Sequence, residues 1–346
     1  MLRNLLFLIV FVSSASAQKM ELRQVDTKIN ASFRGLSVID DSVAWVSGSK
    51  GWVGVTLNGG KDWNFRQVKG FEQCDFRSLY AFNNRSAVIA NAGSPAYILR
   101  TEDGGATWRK VYENNDTAAF IDGVDFRDHK NGIIYGDPIN GRLLLLSTTD
   151  GGKTWIEHPR GECPLMSRGE ASFAASGTGI RWIGNRKIVI ATGGIVSRLL
   201  VSENRGKCWE AISTPILQGK ASTGIFSFLA LDKKSWVIAG GDFMQDSLRT
   251  ANLFVTYNSG KSWNAPASTT RGYRECLAVI GSMPVRNANT ILATGPGGID
   301  ISYDNGNNWL PLSDEKQFHV VKRSRHGDLI IMAGGGGKVA VVKVSN

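Results

Sequence analysis

Beyond its first residues the chain has no apolar stretch long enough to cross a bilayer, so it does not read as membrane-spanning. Sustained helical periodicity is missing too. Apolar residues come in short alternating runs, which excludes a helical bundle and points to β-structure. Histidine and cysteine are scarce, four of each in 346 residues. His129, His158, His319 and His326 show no ligand spacing, Cys74, Cys163, Cys208 and Cys276 match no zinc pattern, and Asp122, Asp125 and Asp128 do not form a calcium loop. No metal site is expected. The even cysteine count leaves room for two disulfides, with all three connectivities open, and Cys208 alternatively reads as a small buried residue. Lysine and arginine outnumber the acids 40 to 30, yet no basic run interleaved with aromatics occurs, so no nucleic-acid partner is expected. The glycine runs Ala333 to Lys338 and Thr294 to Gly298 lack a strand–GxGxxG–helix context; they read as turns, and no cofactor is expected.

What is present begins with the form of an export signal: Arg3, an apolar run from Leu5 to Val12, then Ala15-Ser16-Ala17 before Gln18. Residues 1–17 are expected to be removed as a signal peptide. Residues 18–346 would then act as a single domain in the periplasm or outside the cell.

One short pattern recurs six times: Ser or Thr, any residue, Asp or Asn, any residue, Gly, two more residues, Trp. The Asx and Trp members are Asn58 and Trp63, Asp103 and Trp108, Asp150 and Trp155, Asn204 and Trp209, Asn258 and Trp263, Asp304 and Trp309. An Asx side chain accepts from nearby backbone N–H groups, glycine supplies a positive φ, and the indole buries a large apolar plate. These are turn and packing roles, so the repeated residues are expected to be structural. The tryptophans lie 45 to 54 residues apart, the period of a repeat architecture. Each repeat has three short β-runs, the turn, then a fourth run. A seventh unit after Phe318 lacks the turn and the fourth run, and Glu21 to Val25, similar to Asn64 to Val68, supplies a strand for it. The prediction is an all-β, seven-bladed β-propeller whose ring is closed by an N-terminal strand.

The six S/T-x-D/N-x-G-x-x-W turns identify an Asp-box (BNR-repeat) propeller. Seven units behind an export signal resemble the photosystem II stability/assembly factor-like family. That resemblance implies a non-catalytic scaffold that docks an acidic or polar protein segment on an arginine patch, so the expected partner is an extracytoplasmic protein or peptide. Sialidases and xyloglucanases share the box, which makes a glycan-binding or glycoside-hydrolase propeller the alternative, with a glycan as ligand. A sialidase resemblance would want six blades and an Arg-Ile-Pro near the start, where this chain has Arg34-Gly35-Leu36. Tyr273 and Glu275 beside Arg274 only echo a nucleophile pair, and no catalytic residue is assigned. Xyloglucanases of this type resemble two fused propellers.

Aligning the seven inner strands by an apolar neighbour places Arg34, Arg77, Asp122, Ser172, Ser227, Arg274 and His319 in one ring near the channel mouth. Arginine forks suit carboxylates and polar backbone, so this ring is the candidate binding site. Pairing within the ring, for example Arg77 with Asp122, is the competing arrangement. The loop from Gly240 to Ala251, carrying Phe243, Met244 and Arg249, is expected on the same face as a partner contact.

Overall fold

The structure is a computed structural model that describes residues 19–283 and 287–345. The expected export signal, residues 1–17, lies outside the described residues.

Seven antiparallel sheets, six of four strands and one of five, follow one another around a ring. Blade 1 consists of Phe33–Val38, Ala44–Gly48, Trp52–Thr56 and Asn64–Gln67, ordered from inside to outside. Blade 2 repeats this with Ser78–Ala81, Ala87–Ala90, Ala96–Thr101 and Arg109–Asn114. Blade 7 takes Phe318–Arg323, Ile330–Gly334 and Val339–Ser345 from the chain's end, and its outermost strand is Lys19–Val25. That strand runs antiparallel to Val339–Ser345 with Leu22 opposite Val342, so the predicted closure is present.

Each Asp box joins the third strand of a blade to the fourth. In the second box the Gly105 N–H donates to Thr101 Oγ1 at 3.1 Å and the Thr107 N–H to Asp103 Oδ1 at 2.9 Å. The fourth box substitutes Ser202 and Asn204 and keeps both bonds, at 2.8 Å each. A hydroxyl and an Asx oxygen thus replace the ladder partners that the reversing chain gives up. The fifth-position glycines have φ between 75° and 89°, which L side chains rarely adopt. They also lie against the preceding blade: a Cβ on Gly105 would sit 3.3 Å from Trp45, and one on Gly60 would sit 2.7 Å from Val341 of blade 7. The box tryptophans follow the same rule. Trp108 meets Trp45 edge-on at 6.4 Å, and Trp63 joins the cluster built on blade 7. Repeated six times around a circle, this contact makes the ring one structure.

Residue four of the box also donates to the hairpin joining the first and second strands, as Gly59 N–H does to Ser42 O at 2.9 Å and Gly104 N–H to Arg85 O at 2.9 Å. Boxes and inner hairpins therefore share one face, the box face. Inner strands enter from the opposite face, the mouth.

Blade 4 departs from its expected outline. Ala171 to Ser176 is not its inner strand; that role belongs to Ile180–Ile183, paired with Lys187–Ala191. Glu170–Ala171 instead pairs with Gly193–Gly194, which extends the sheet of blade 5. The four cysteines are all free, and Cys208 is exposed, not buried.

Candidate binding site at the channel mouth

In the six boxed blades the box fixes the register of the inner strand. In blade 1, Thr56 opposes Ala44, which opposes Val38, and Arg34 lies four residues earlier, at a bulge between Phe33 and Gly35. The same construction puts Arg77, Asp122 and His319 at the ring position, as expected. Three other members are different. In blade 5 the bulge falls between Ile225 and Ser227, so the ring residue is Phe226, one before Ser227. In blade 6, Ser302 opposes Ile291 and Ile291 opposes Val279, which makes Glu275 the ring residue and turns Arg274 away. In blade 4, Ser202 opposes Ile188 and Ile188 opposes Trp182, which makes it Thr178, six residues beyond Ser172.

The sequence carried a signal that would have corrected blades 5 and 6. The second strand ends in a glycine opposite the residue before the ring position, as in Phe33 with Gly48, Ile121 with Gly136, Ile225 with Gly240 and Phe318 with Gly334. A Cβ at any of these four glycines would lie about 2 Å from the carbonyl oxygen of the residue before. Gly295 stands in the same relation to Arg274, with Tyr273 O as the near atom.

The displaced segment of blade 4 closes the mouth. Its base is held by Glu170, whose carboxylate accepts from Arg198 at 2.9 and 2.7 Å, from Thr192 Oγ1 at 2.7 Å and from the Ser167 N–H at 2.8 Å. Phe173 then stacks on Phe226, centroids 3.9 Å apart, and Phe226 meets Tyr273 edge-on. Ala175 O accepts from Arg34 Nη1 at 2.9 Å, and Ser176 Oγ donates to Glu275 O at 2.8 Å. Thr178 Oγ1 contacts Ser176 and donates to Ser227 Oγ at 2.8 Å. Ala174, Ala175, Ser176 and Thr178 are all buried. We call Ala171 to Gly177 the plug.

Beneath the plug the ring splits in two. On one side Arg34 Nη1 lies 3.2 Å from Glu275 Oε1, and His319 Nδ1 lies 2.6 Å from Glu275 Oε2. Burial pushes the Glu275 carboxyl up, but Arg34 and His319 outweigh it and hold the group below its ordinary value. Tyr273 OH reaches Glu275 Oε1 at 3.4 Å; burial and that carboxylate push the phenol well above its usual range. The Tyr273–Glu275 pair therefore exists, with both members buried. On the other side Arg77 Nε donates to Asp75 Oδ2 at 2.7 Å, so the expected pair with Asp122 is not made. Asp122 is wholly buried, and neither carboxyl oxygen has a hydrogen-bond partner among the described residues. Burial, then the nearby Asp137, raise its carboxyl well above the ordinary range. Arg274, outside the ring, is fully buried and donates to Asp300 and to Tyr273 O.

The nearest approach to a nucleophile–base pair lies elsewhere, between Ser147 Oγ and His158 Nε2 at 2.5 Å. Glu162 Oε2 stays 3.7 Å from His158 Nδ1, and the ring is wedged against Gly206 of the next box. Ser147 sits within a strand paired on both sides, which leaves it the form of a cross-strand contact.

Ring, boxes and register define the class: an Asp-box, seven-bladed β-propeller. A family model described as photosynthesis system II assembly factor YCF48 matches residues 14–117, the stretch through blade 2, and the chain resembles that family. Among solved structures the chain is similar to "YCF48 bound to D1 peptide", at 17% identity and TM-score 0.63, covering 94% of this chain and 97% of that one. It is similar to YCF48 from Cyanidioschyzon merolae at 15% identity and TM-score 0.63, covering 92% and 98%. The GH74 xyloglucanase from Xanthomonas campestris matches at 14% identity and TM-score 0.60, covering 93% of this chain but 53% of that one. No curated protein matches the chain in sequence.

Proposed function

We propose that the protein is an exported, non-catalytic scaffold that binds an extracytoplasmic protein or peptide on the plugged face of its propeller. One observation carries this reading. The loop between the second and third strands of blade 5 holds Phe243 and Met244 at 46% and 73% exposure, and Ile195, just after the short strand Gly193–Gly194 that anchors the plug, is 49% exposed. The loop is held in place. Met244 N–H donates to Asp242 Oδ1 at 2.9 Å, Asp246 O accepts from the Tyr273 N–H at 2.9 Å, and the Phe243 ring rests edge-on against Phe173 and Phe226. Large apolar groups on a preorganised loop lose little freedom on binding, which is what a contact surface needs. Of the arginines first expected to dock the partner, Arg34 and Arg274 are committed inside the protein and the half-buried Arg77 is paired with Asp75, so apolar contact replaces charge as the proposed driving term. The family resemblance, and the peptide complex of a similarly folded protein, support a polypeptide as the partner class.

The test compares the mature protein with a Met244→Asp/Ile195→Asp double variant, using each to capture extracytoplasmic proteins beside a chromogenic glycoside panel. Capture that is lost in the variant at unchanged melting temperature supports the reading. Equal capture by both forms removes this face from the mechanism, and glycoside turnover abolished by Tyr273→Phe overturns the scaffold.

A further inference from the structure

Below the plug the channel continues as a cavity of about 410 Å³ toward the box face. Its lining includes four cations, Arg181, Lys322, Arg323 and Arg325, against one acid, Asp125. Arg323 is paired with Asp328, and Asp125 Oδ2 is taken by the Trp182 N–H at 2.8 Å. The other three cations have no carboxylate hydrogen-bonded to them among the described residues. Arg181 Nη1 is held by Ile180 O at 2.8 Å and Gly177 O at 3.2 Å. Arg325 donates to Ala81 O and to Ser37 Oγ, and its guanidinium lies 4.5 Å from the centre of the Tyr80 ring. Carbonyls and an aromatic face thus fix both guanidinia and leave N–H groups free. Lys322 Nζ has no hydrogen-bond partner among the described residues.

We propose that this blind end of the channel is a binding site for a small oxyanion carrying phosphate or several carboxylates. Like charges gathered on rigid supports without a counter-charge repel one another unless an anion enters, and forked Arg donors beside a Lys match oxyanion geometry. The size agrees, since small-ligand pockets start at roughly 300 Å³. Burial and then Arg181 pull the Lys322 ammonium down to about 8. The groups facing it are Arg181 and Arg325 with like charge, and Asp125 and the Cys276 thiol with the opposite tendency. An anion seated there favours the charged lysine, so binding near pH 8 takes up protons. The site is independent of the apolar mouth face.

The experiment is calorimetric titration of the mature protein at low salt and pH 8 with inorganic phosphate, pyrophosphate and citrate, in two buffers of different ionisation enthalpy. Lys322→Met and the more exposed Arg325→Gln are the test variants; Lys207→Met, an exposed box-face cation, is the control. We expect net proton uptake with the wild type and affinity about tenfold weaker in each test variant, the scale of one lost charge-assisted bond. Lys207→Met should bind like the wild type. Without anion, Lys322→Met should melt higher than the wild type, because it relieves the crowding, and added anion should raise its melting temperature less. Preference between pyrophosphate and citrate tells phosphate from carboxylate chemistry. No binding of any of the three, equal binding by Lys322→Met, or equal weakening by Lys207→Met each overturns the site.

Discussion

At the scale of single residues, the box Asx and the ring acid Asp122 sit at opposite ends of carboxylate behaviour. Asp103 is exposed, yet the Thr107 hydroxyl and N–H hold its carboxyl down to about 2. At Asp150 burial works the other way, but Thr154 wins and the value is again about 2. A depressed acid contributes stability that is present above its unfolded pKa, near 4, and is lost as pH falls through 2. Boxes 1, 4 and 5 do the same work with Asn58, Asn204 and Asn258, which do not titrate. Asp103→Asn/Asp150→Asn should therefore keep the fold and lose less stability than the wild type between pH 4 and 2. Asp103→Ala, which removes the acceptor, should cost about 1 kcal/mol in urea denaturation at pH 7. Asp122 has the reverse sign. Its folded pKa is raised, so its contribution is fully present below about pH 4 and is lost as pH rises through the folded value. Asp122→Asn should then out-melt the wild type by a margin that grows from pH 4 to 8. A margin that stays constant, or shrinks, would show that the carboxyl is not kept neutral by its burial.

At the scale of elements, the plug is what separates the mouth from the channel. Arg34 ties it across the ring by holding Ala175 O and Glu275 together, while the Asp137 carboxylate accepts from the Ser172 N–H at 2.9 Å. Arg34→Ala leaves a buried carbonyl without its donor and Glu275 with only Tyr273 and His319, a loss of about 2 kcal/mol. Amide hydrogen exchange should rise at Ser176 and its neighbours and stay unchanged in blade 2. Uniform acceleration throughout the ring would mean that Arg34 supports the whole fold. The plug also shows where sequence reasoning stops. Boxes and blades were legible because eight consecutive residues form each turn, so local chemistry fixes them. The ring was only partly legible because its register depends on pairing with a distant strand, and one residue of slip exchanges the two faces. Phe226-Ser227 and Tyr273-Arg274 both offered an aromatic neighbour in the wrong phase. Ala171 to Ser176 alternated like a strand, and only the competing pairing of Ile180–Ile183 excludes it from blade 4. The length of the Gly240 to Ala251 loop pointed to Met244, whereas Ile195, which lies outside any motif, became visible only through its exposure.

For the whole molecule, closure depends on a seam made of non-covalent pairing alone. Lys19–Val25 adds seven rungs to the edge of blade 7, and Thr27 Oγ1 donates to Gly337 O at 2.8 Å just beyond. Leu22 and Val25 pack on the same cluster as Val339 and Val342, the cluster that also receives Trp63 from the first box. Removing the strand therefore strips both an edge and part of the interface between blades 7 and 1. Because the pairing begins with Lys19 opposite Ser345, the two strands form a hairpin that lacks only its turn. Two proteins separate the role of the strand from that of the chain end. Deleting residues 18–25 should lower the melting temperature and cause aggregation through the bared edge. Joining 345 to 19 with an Asn-Gly turn, and opening the chain beside Gly70, where a Cβ would meet nothing within 4 Å, should keep the ring intact. The joined protein should melt at or above the wild type, since the closing strand can no longer detach into solvent. A joined protein that melts with the deletion variant would mean that the ring is held by its six boxed contacts and that the seam contributes nothing.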